Sequence, residues 1–280
     1  MSSTTAPTVR FEIREQVAFL TLARPDSANT MNLEFGKDFL TAAFSAKGSK
    51  ARAIVLCGEG KNFCFGGDLR GMIASGADVS AYLAELTTNL HEGMAILAAL
   101  DAPVIAAVNG TAAGAGLGLV LLADLVIAAH SARFTAAYTG VGLTPDAGCT
   151  FLLPRMIGTR RAMEMLLTNR TLDAAEALEW GLINKVVEEG ELAPSAARLA
   201  ERLSQGPQGA YGAVKRLLRL SQPGYVEQMG LESLAISAQA ATSEGAEGIS
   251  AFLAKRTPRF YRPDTRPAIL SVPERPEPPS

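Results

Sequence analysis

Histidine is the scarcest chemistry-bearing residue in this chain. Of 280 residues only two are histidine, His91 and His130, and they lie far apart. That argues against a zinc site and against a serine–histidine–aspartate triad, while leaving one histidine free to act. Cysteine is nearly as rare. Cys57, Cys64 and Cys149 have no metal-type spacing, and two of them lie in or beside apolar runs. They read as reduced thiols of a cytoplasmic protein, and no metal site is expected. No basic cluster stands out, and the net charge is −2 with both signs mixed, so nucleic acid is not an expected partner. There is no GxSxG, no Walker loop and no GxGxxG, since Gly114, Gly116 and Gly118 have the wrong spacing. Met1–Thr8 is polar and carries no signal-peptide pattern.

What the chain has in quantity is apolar residues, 48% of the total, ample for a large core. One uncharged stretch, from Ala102 to Ala123, matches the roughly 20 residues of a membrane span. Pro103, the Asn109-Gly110 turn, the glycines and the adjacent Asp124 argue against that use, and no membrane partner is expected. The stretch reads instead as a buried strand at Val104–Val108, a turn, a small-residue segment, a short helix to about Leu122 and a strand at Leu125–Ala128. Alanine and glycine from Ala112 to Gly118 let another backbone or a ligand approach closely. Peptide N–H groups at a helix start can bind a developing negative charge, so the segment is read as half of an oxyanion hole. A packing corner with no chemistry is the competing reading.

In chain order, Val9–Glu15 and Gln16–Leu22 read as a hairpin, Leu33–Lys47 as a helix and Ala53–Cys57 as a buried strand. In Lys61–Arg70 two glycines precede Asp68. Either Asp68 caps the next helix, or the N–H after Gly66 points at a ligand. Gly71–Ser80 reads as a loop or weak helix and Ala81–Leu100 as a long helix, on which His91 is more readily structural than catalytic. Asp146, in the turn Leu143-Thr144-Pro145-Asp146, is either a cap or a general acid or base. A capping box at Asp173–Glu176 starts a helix ending at Trp180-Gly181, and Leu182–Val187 returns as a strand. From Leu192 the chain reads as helices broken at Gly206-Pro207 and Pro223-Gly224. Three segments are expected: a core over 1–203, a helical region over 204–261 and a proline-rich disordered tail over 262–280.

These pieces together resemble the crotonase (enoyl-CoA hydratase/isomerase) family. The likeness rests on Phe63–Leu69, on Val108-Asn109-Gly110 with Gly114-Ala115-Gly116, and on Ala123–Ala128. It continues through Phe134, Gly142–Gly148, Leu153-Pro154-Arg155 and Glu247–Arg256, in family order. The resemblance implies an α/β fold, a spiral of β-β-α turns with a helical C-terminal trimerisation region. It implies an acyl-coenzyme A thioester as ligand, with coenzyme A as part of the substrate and no permanently bound cofactor, and a homotrimer or a dimer of trimers. It places Gly67 and Ala115 at the two amides that hold the thioester oxygen. It puts the loop Arg24–Asn29, including Ser27 and Ala28, against the adenine and phosphate end. Phe65, Gly66, Asp68, Leu69, Tyr138 and Leu143 become substrate-contact candidates. Lys255 and Phe260 fall where a neighbouring subunit touches the cofactor.

Departures from the family pattern decide the expected reaction. The two glutamates of a true hydratase fall on Gly118 and Tyr138, and neither is a carboxylate. Asp146 falls where an aspartate is catalytic in dienoyl-CoA isomerases and in the branch that isomerises 1,2-epoxyphenylacetyl-CoA, the closer likeness. The expectation is an isomerase with Asp146 as proton shuttle in a pocket of Phe134, Tyr138, Val141 and Leu143. An atypical hydratase and a non-catalytic thioester- or RNA-binding relative are the alternatives. Arene-CoA dehalogenases of the family carry a histidine on the preceding helix, which gives His91 a role to test.

Overall fold

The computed structural model describes residues 6–76, 78–206, 208–220 and 224–258. The expected 262–280 tail and Phe260 lie outside the described residues.

Two strands open the chain, β1 (Val9–Arg14) and β2 (Val17–Leu22), joined at Glu15, whose positive φ of 56° makes the tight turn. Helix α1 (Leu33–Gly48) follows, with Asn32 as its cap: the Asn32 side chain accepts the Phe35 N–H at 2.8 Å. Next come β3 (Ala53–Gly58), α2 (Leu69–Ala74) and α3 (Val79–Ala99). The uncharged central stretch divides into β4 (Val104–Val108), β5 (Thr111–Ala113) and α4 (Ala115–Leu122). Strands β6 (Leu125–Ala129) and β7 (Arg133–Thr135) precede α5 (Cys149–Ile157) and α6 (Thr159–Thr168). Then β8 (Leu172–Asp173), α7 (Ala174–Glu179), β9 (Lys185–Val187) and α8 (Glu189–Ser204) complete the core, and α9 (Gln208–Leu220), α10 (Tyr225–Ala240) and α11 (Ser243–Leu253) follow. Among the described residues no helix is long and apolar enough to cross a membrane.

The large sheet runs β1-β2-β3-β4-β6-β9, antiparallel at the first pair and parallel from β2 onward. Every residue of β4 is buried, as expected of a central parallel strand covered on both faces. One face carries the main core, which includes Phe35, Phe39, Leu86 and Leu90 of α1 and α3. The other face packs Val55, Ile105 and Ile127 against Leu192, Ala196 and Ala200 of α8. A small second sheet has the order β5-β7-β8. Strands β4 and β6 each pass into a small-sheet strand and then a helix, which is the expected β-β-α turn. The opening hairpin departs from that unit, because β1 and β2 both belong to the large sheet.

Gly71–Ser80, expected as a loop or weak helix, begins within the short helix α2. Asp68 caps α2 by accepting the Gly71 N–H at 2.9 Å, so the helix starts before Gly71 and ends at Ala74. The C-terminal helices fold back onto the core: α10 packs against α3, and α11 against the turn at Thr139–Val141.

Candidate active site

A cavity of about 890 Å³ opens between α2, α3, the start of α4 and the turn that carries Asp146, with α10 and α11 contributing Ile236 and Phe252. One wall is built from backbone. Cys64 pairs with Ala112 across a single bridge: the Cys64 N–H donates to the Thr111 carbonyl at 3.0 Å, and the Ala113 N–H donates to the Cys64 carbonyl at 2.9 Å. This pairing brings two glycine-rich segments together. A Cβ on Gly66 would lie 2.9 Å from the Ala113 carbonyl oxygen and 3.1 Å from the Ala115 nitrogen, closer than a side chain tolerates. Gly67, by contrast, has open space where its Cβ would be. Gly114 caps α4 at φ 56°, ψ −130°, a backbone state that favours glycine. The N–H groups of Gly67 and Ala115 have no acceptor among the described residues, and both residues line the cavity. Ala115 is the first residue of α4, where orphan amides and the helix dipole favour negative charge.

The facing wall is built from side chains. Asp146 is only 3% exposed and lines the cavity. Its side chain does not cap α5: that helix starts at Cys149, with Gly148 as its cap residue and no side-chain capping bond. Instead the Tyr138 hydroxyl donates to Asp146 Oδ1 at 2.5 Å, and His91 Nε2 lies 3.2 Å from Asp146 Oδ2. The Ala147 N–H donates to the same His91 nitrogen at 3.2 Å. Three left-handed residues, Gly142, Ala147 and Gly148, let the chain double back and turn Asp146 inward. Tyr138 and His91 are 6% and 7% exposed. Beneath them Gly118 of α4 touches Ala147: a Cβ at Gly118 would overlap the Ala147 methyl and lie 2.6 Å from its carbonyl oxygen.

Most of the sequence-derived candidates gather here. Ser27, Ala28, Phe65, Gly67, Asp68, Leu69, Ala115, Tyr138, Leu143 and Asp146 all line the cavity. Four do not. Arg24 is turned onto its own protein: its guanidinium pairs with Asp68 at 3.1 Å and donates to the Thr30 carbonyl. Gly66 stands behind the wall, where its carbonyl accepts the Met31 N–H. Phe134 is fully buried in the core of the small sheet, so the pocket is formed by Tyr138, Val141 and Leu143 without it. Lys255 is exposed just beyond α11, away from the cavity lining.

The sequence underweighted His91, because a lone histidine on a helix carries no signal of what faces it. It also missed Leu83, Leu86, Thr87 and Leu90, the cavity-facing residues of α3, whose spacing is equally that of a core helix. Arg70, one residue into α2, lines the cavity, whereas Arg24 does not.

The mouth loop is held from behind. Asn29 is fully buried, and its amide donates to the carbonyls of Glu59, Asn62 and Phe63. The Cys64 thiol donates to the Asn29 carbonyl at 3.0 Å. Burial pushes the Cys64 thiol up to about 12, so it stays neutral at physiological pH. Among the described residues no cluster of three or more histidine, cysteine, aspartate or glutamate side chains could hold a metal ion.

Residues 12–263 match the family model described as enoyl-CoA hydratase/isomerase. A protein of Rhodobacter capsulatus named a probable enoyl-CoA hydratase is 41% identical over 255 residues, covering 90% of this chain and 97% of that one. The 1,2-epoxyphenylacetyl-CoA isomerase of Escherichia coli is 37% identical over 251 residues, covering 89% and 96%. The crystal structure of an enoyl-CoA hydratase/isomerase from Pseudoalteromonas atlantica aligns with a TM-score of 0.81 at 30% identity, over 91% of this chain and 100% of that one.

Proposed function

The chain belongs to the enoyl-CoA hydratase/isomerase family, and from that membership and the one buried carboxylate of its cavity we propose that it isomerises unsaturated or epoxidised acyl-coenzyme A thioesters. The observation that carries this reading is Asp146, buried, pointing at the cavity and opposite two amides without acceptors. Of the other acids on the wall, Asp68 is paired with Arg24, and Asp26 is exposed.

Double-bond migration needs one proton taken from carbon and returned to another. Asp146 takes the proton, and the electron pair of the broken C–H bond moves into the thioester to give an enolate. The Gly67 and Ala115 amides receive the charge on the thioester oxygen. Such a donor is worth about 2.7–4 kcal/mol of barrier when removed singly. Asp146 then returns the proton, the enolate collapses, and mass is conserved. The two-carboxylate route to hydration has no support in these residues. Gly118 has no room for a side chain, and Tyr138 is a donor to Asp146.

Arg70 and the Ser27–Ala28 loop support a phosphate-bearing ligand entering at the mouth. The exposed Leu218, Val226 and Leu234 support assembly of several copies, as trimer or dimer of trimers. The His91 contact favours one second reading, attack by Asp146 as a nucleophile on an aryl halide thioester, which halide release from 4-halobenzoyl-CoA would reveal.

The test is incubation of purified protein with 3-enoyl-CoA, 2-enoyl-CoA and a cyclic epoxide thioester, with product mass and bond position followed. Isomerisation without mass change is expected, reduced ~10²–10⁴-fold in Asp146→Asn. Gain of one water from 2-enoyl-CoA, persisting in Asp146→Asn, would overturn the proposal.

A further inference from the structure

Resting on the reading of Asp146 as the proton shuttle, we infer that the Ala147 amide sets His91 as a hydrogen-bond acceptor, so that His91 and Tyr138 favour opposite protonation states of Asp146. His91 Nε2 has two neighbours, both at 3.2 Å: the Ala147 N–H and Asp146 Oδ2. A backbone N–H can only donate. It therefore requires the lone pair of a neutral imidazole at Nε2 and places the ring proton on Nδ1. An Nε2–H would face the Ala147 N–H and leave that buried donor unsatisfied, at a cost of the kind that native structures avoid.

With the lone pair at Nε2, His91 matches Asp146 as a carboxylic acid, whose O–H can point at it. It opposes the carboxylate, whose Oδ2 would meet a second lone pair. Tyr138 does the reverse, because its hydroxyl donates to Oδ1 at 2.5 Å and matches the carboxylate. A shuttle must take a proton and give it back. A carboxylate held by two donors takes it poorly, and an acid held by two acceptors returns it poorly. One donor and one acceptor, on separate oxygens, keep the two states balanced.

The device is built into the backbone. Ala147 has a φ of 51°, in the left-handed region that favours glycine, and its N–H meets His91 Nε2. Of the neighbouring ionisable groups, Cys149 opens α5 three residues after Asp146 and is fully buried. Helix α4, packed beneath, carries none, and α10 and α11 present Ile236 and Phe252 to the cavity. On the far side of Gly148 stands Tyr225. The remaining charged groups on the cavity wall are Asp26, Arg70 and Asp68, the last paired with Arg24. Buried His91 touches no ligand position and acts through Asp146, as a positioning residue.

Two measurements test this. In the whole protein, imidazole nitrogen resonances report the tautomer, and with only two histidines His130→Ala assigns them. An unprotonated Nε2 on His91 is expected, and a protonated Nε2 in the neutral ring overturns the inference whatever the activity. Turnover of 3-enoyl-CoA against pH gives the second readout. Tyr138→Phe should move the lower inflection of kcat to higher pH and His91→Leu to lower pH, each by roughly one unit. His91→Gln, whose amide oxygen can still accept, should return the inflection toward wild type. Shifts of the same sign in both variants, or loss of rate with an unmoved inflection, would mean that His91 only packs. Full turnover by Asp146→Asn would instead remove the shuttle reading itself, leaving the tautomer result standing.

Discussion

The two walls of the cavity are made on opposite plans. The Gly67–Ala115 wall presents peptide amides to the cavity, and its side chains are small or absent. The Asp146 wall presents hydrogen-bonded side chains brought from three parts of the chain, residues 91, 138 and 146. The first wall is joined by backbone pairing at Cys64 and Ala112. The second is held by packing between Gly118 and Ala147 and by three left-handed residues. Substitutions should therefore act differently on the two: the amide wall responds to backbone chemistry and to any side chain placed at Gly66 or Gly116, while the acid wall responds to each hydrogen bond.

The largest contrast is expected from removing one amide. Ala115 opens α4, a position where proline fits the helix. Ala115→Pro should lower kcat about 10²–10³-fold with the helical signal retained, whereas Ala115→Gly, which keeps the N–H, should change kcat little. Equal losses in both would show that the methyl group matters more than the amide and would erase the distinction between the walls. Gly118→Ala comes next. Its Cβ meets Ala147, so the acid wall must shift, with overpacking of about 1–3 kcal/mol in unfolding free energy and weakened turnover. A variant as stable and active as wild type would show that the contact at Ala147 gives way freely. The smallest effect concerns the support behind the amide wall. The folded-state value of the Cys64 thiol, about 12, lies above its ordinary value of 9.0. The unfolded chain thus loses its proton first as pH rises, and the stability held by the neutral thiol is full below about pH 9 and is lost on the way to pH 12. Denaturant unfolding at pH 8 and pH 10 should show a fall of about 1 kcal/mol, a fall that Cys64→Ala lacks.

The same division explains what the sequence disclosed. The large sheet, α1, α3 and the β4–α4 corner were legible, because burial on two faces leaves continuous apolar runs and a turn leaves Asn109-Gly110. The amide wall was legible for the same reason, since a backbone site needs glycine and alanine and those are visible as letters. The acid wall was half legible. Asp146 stood out through its Gly-Leu-Thr-Pro-Asp context, but nothing local tells that Tyr138 and His91 converge on it from residues 8 and 55 away. Arg24 misled for a related reason: its charge is apparent in the sequence, but its partner Asp68, 44 residues on, is not. Phe134 has an apolar side chain in the right segment, and only strand pairing decides that it faces the core of the small sheet.

The contact between Gly118 and Ala147 also bears on how such a pocket changes. A side chain at position 118 fits beneath Asp146 only if the doubled-back turn at 147 shifts. Placing an acid on α4 at position 118 would therefore call for a change in the turn as well. An acid added alone collides with the turn, and a turn dismantled alone no longer holds Asp146 against Tyr138 and His91. Positions 118 and 147 are thus one unit of the fold, and a change at either is felt at the other.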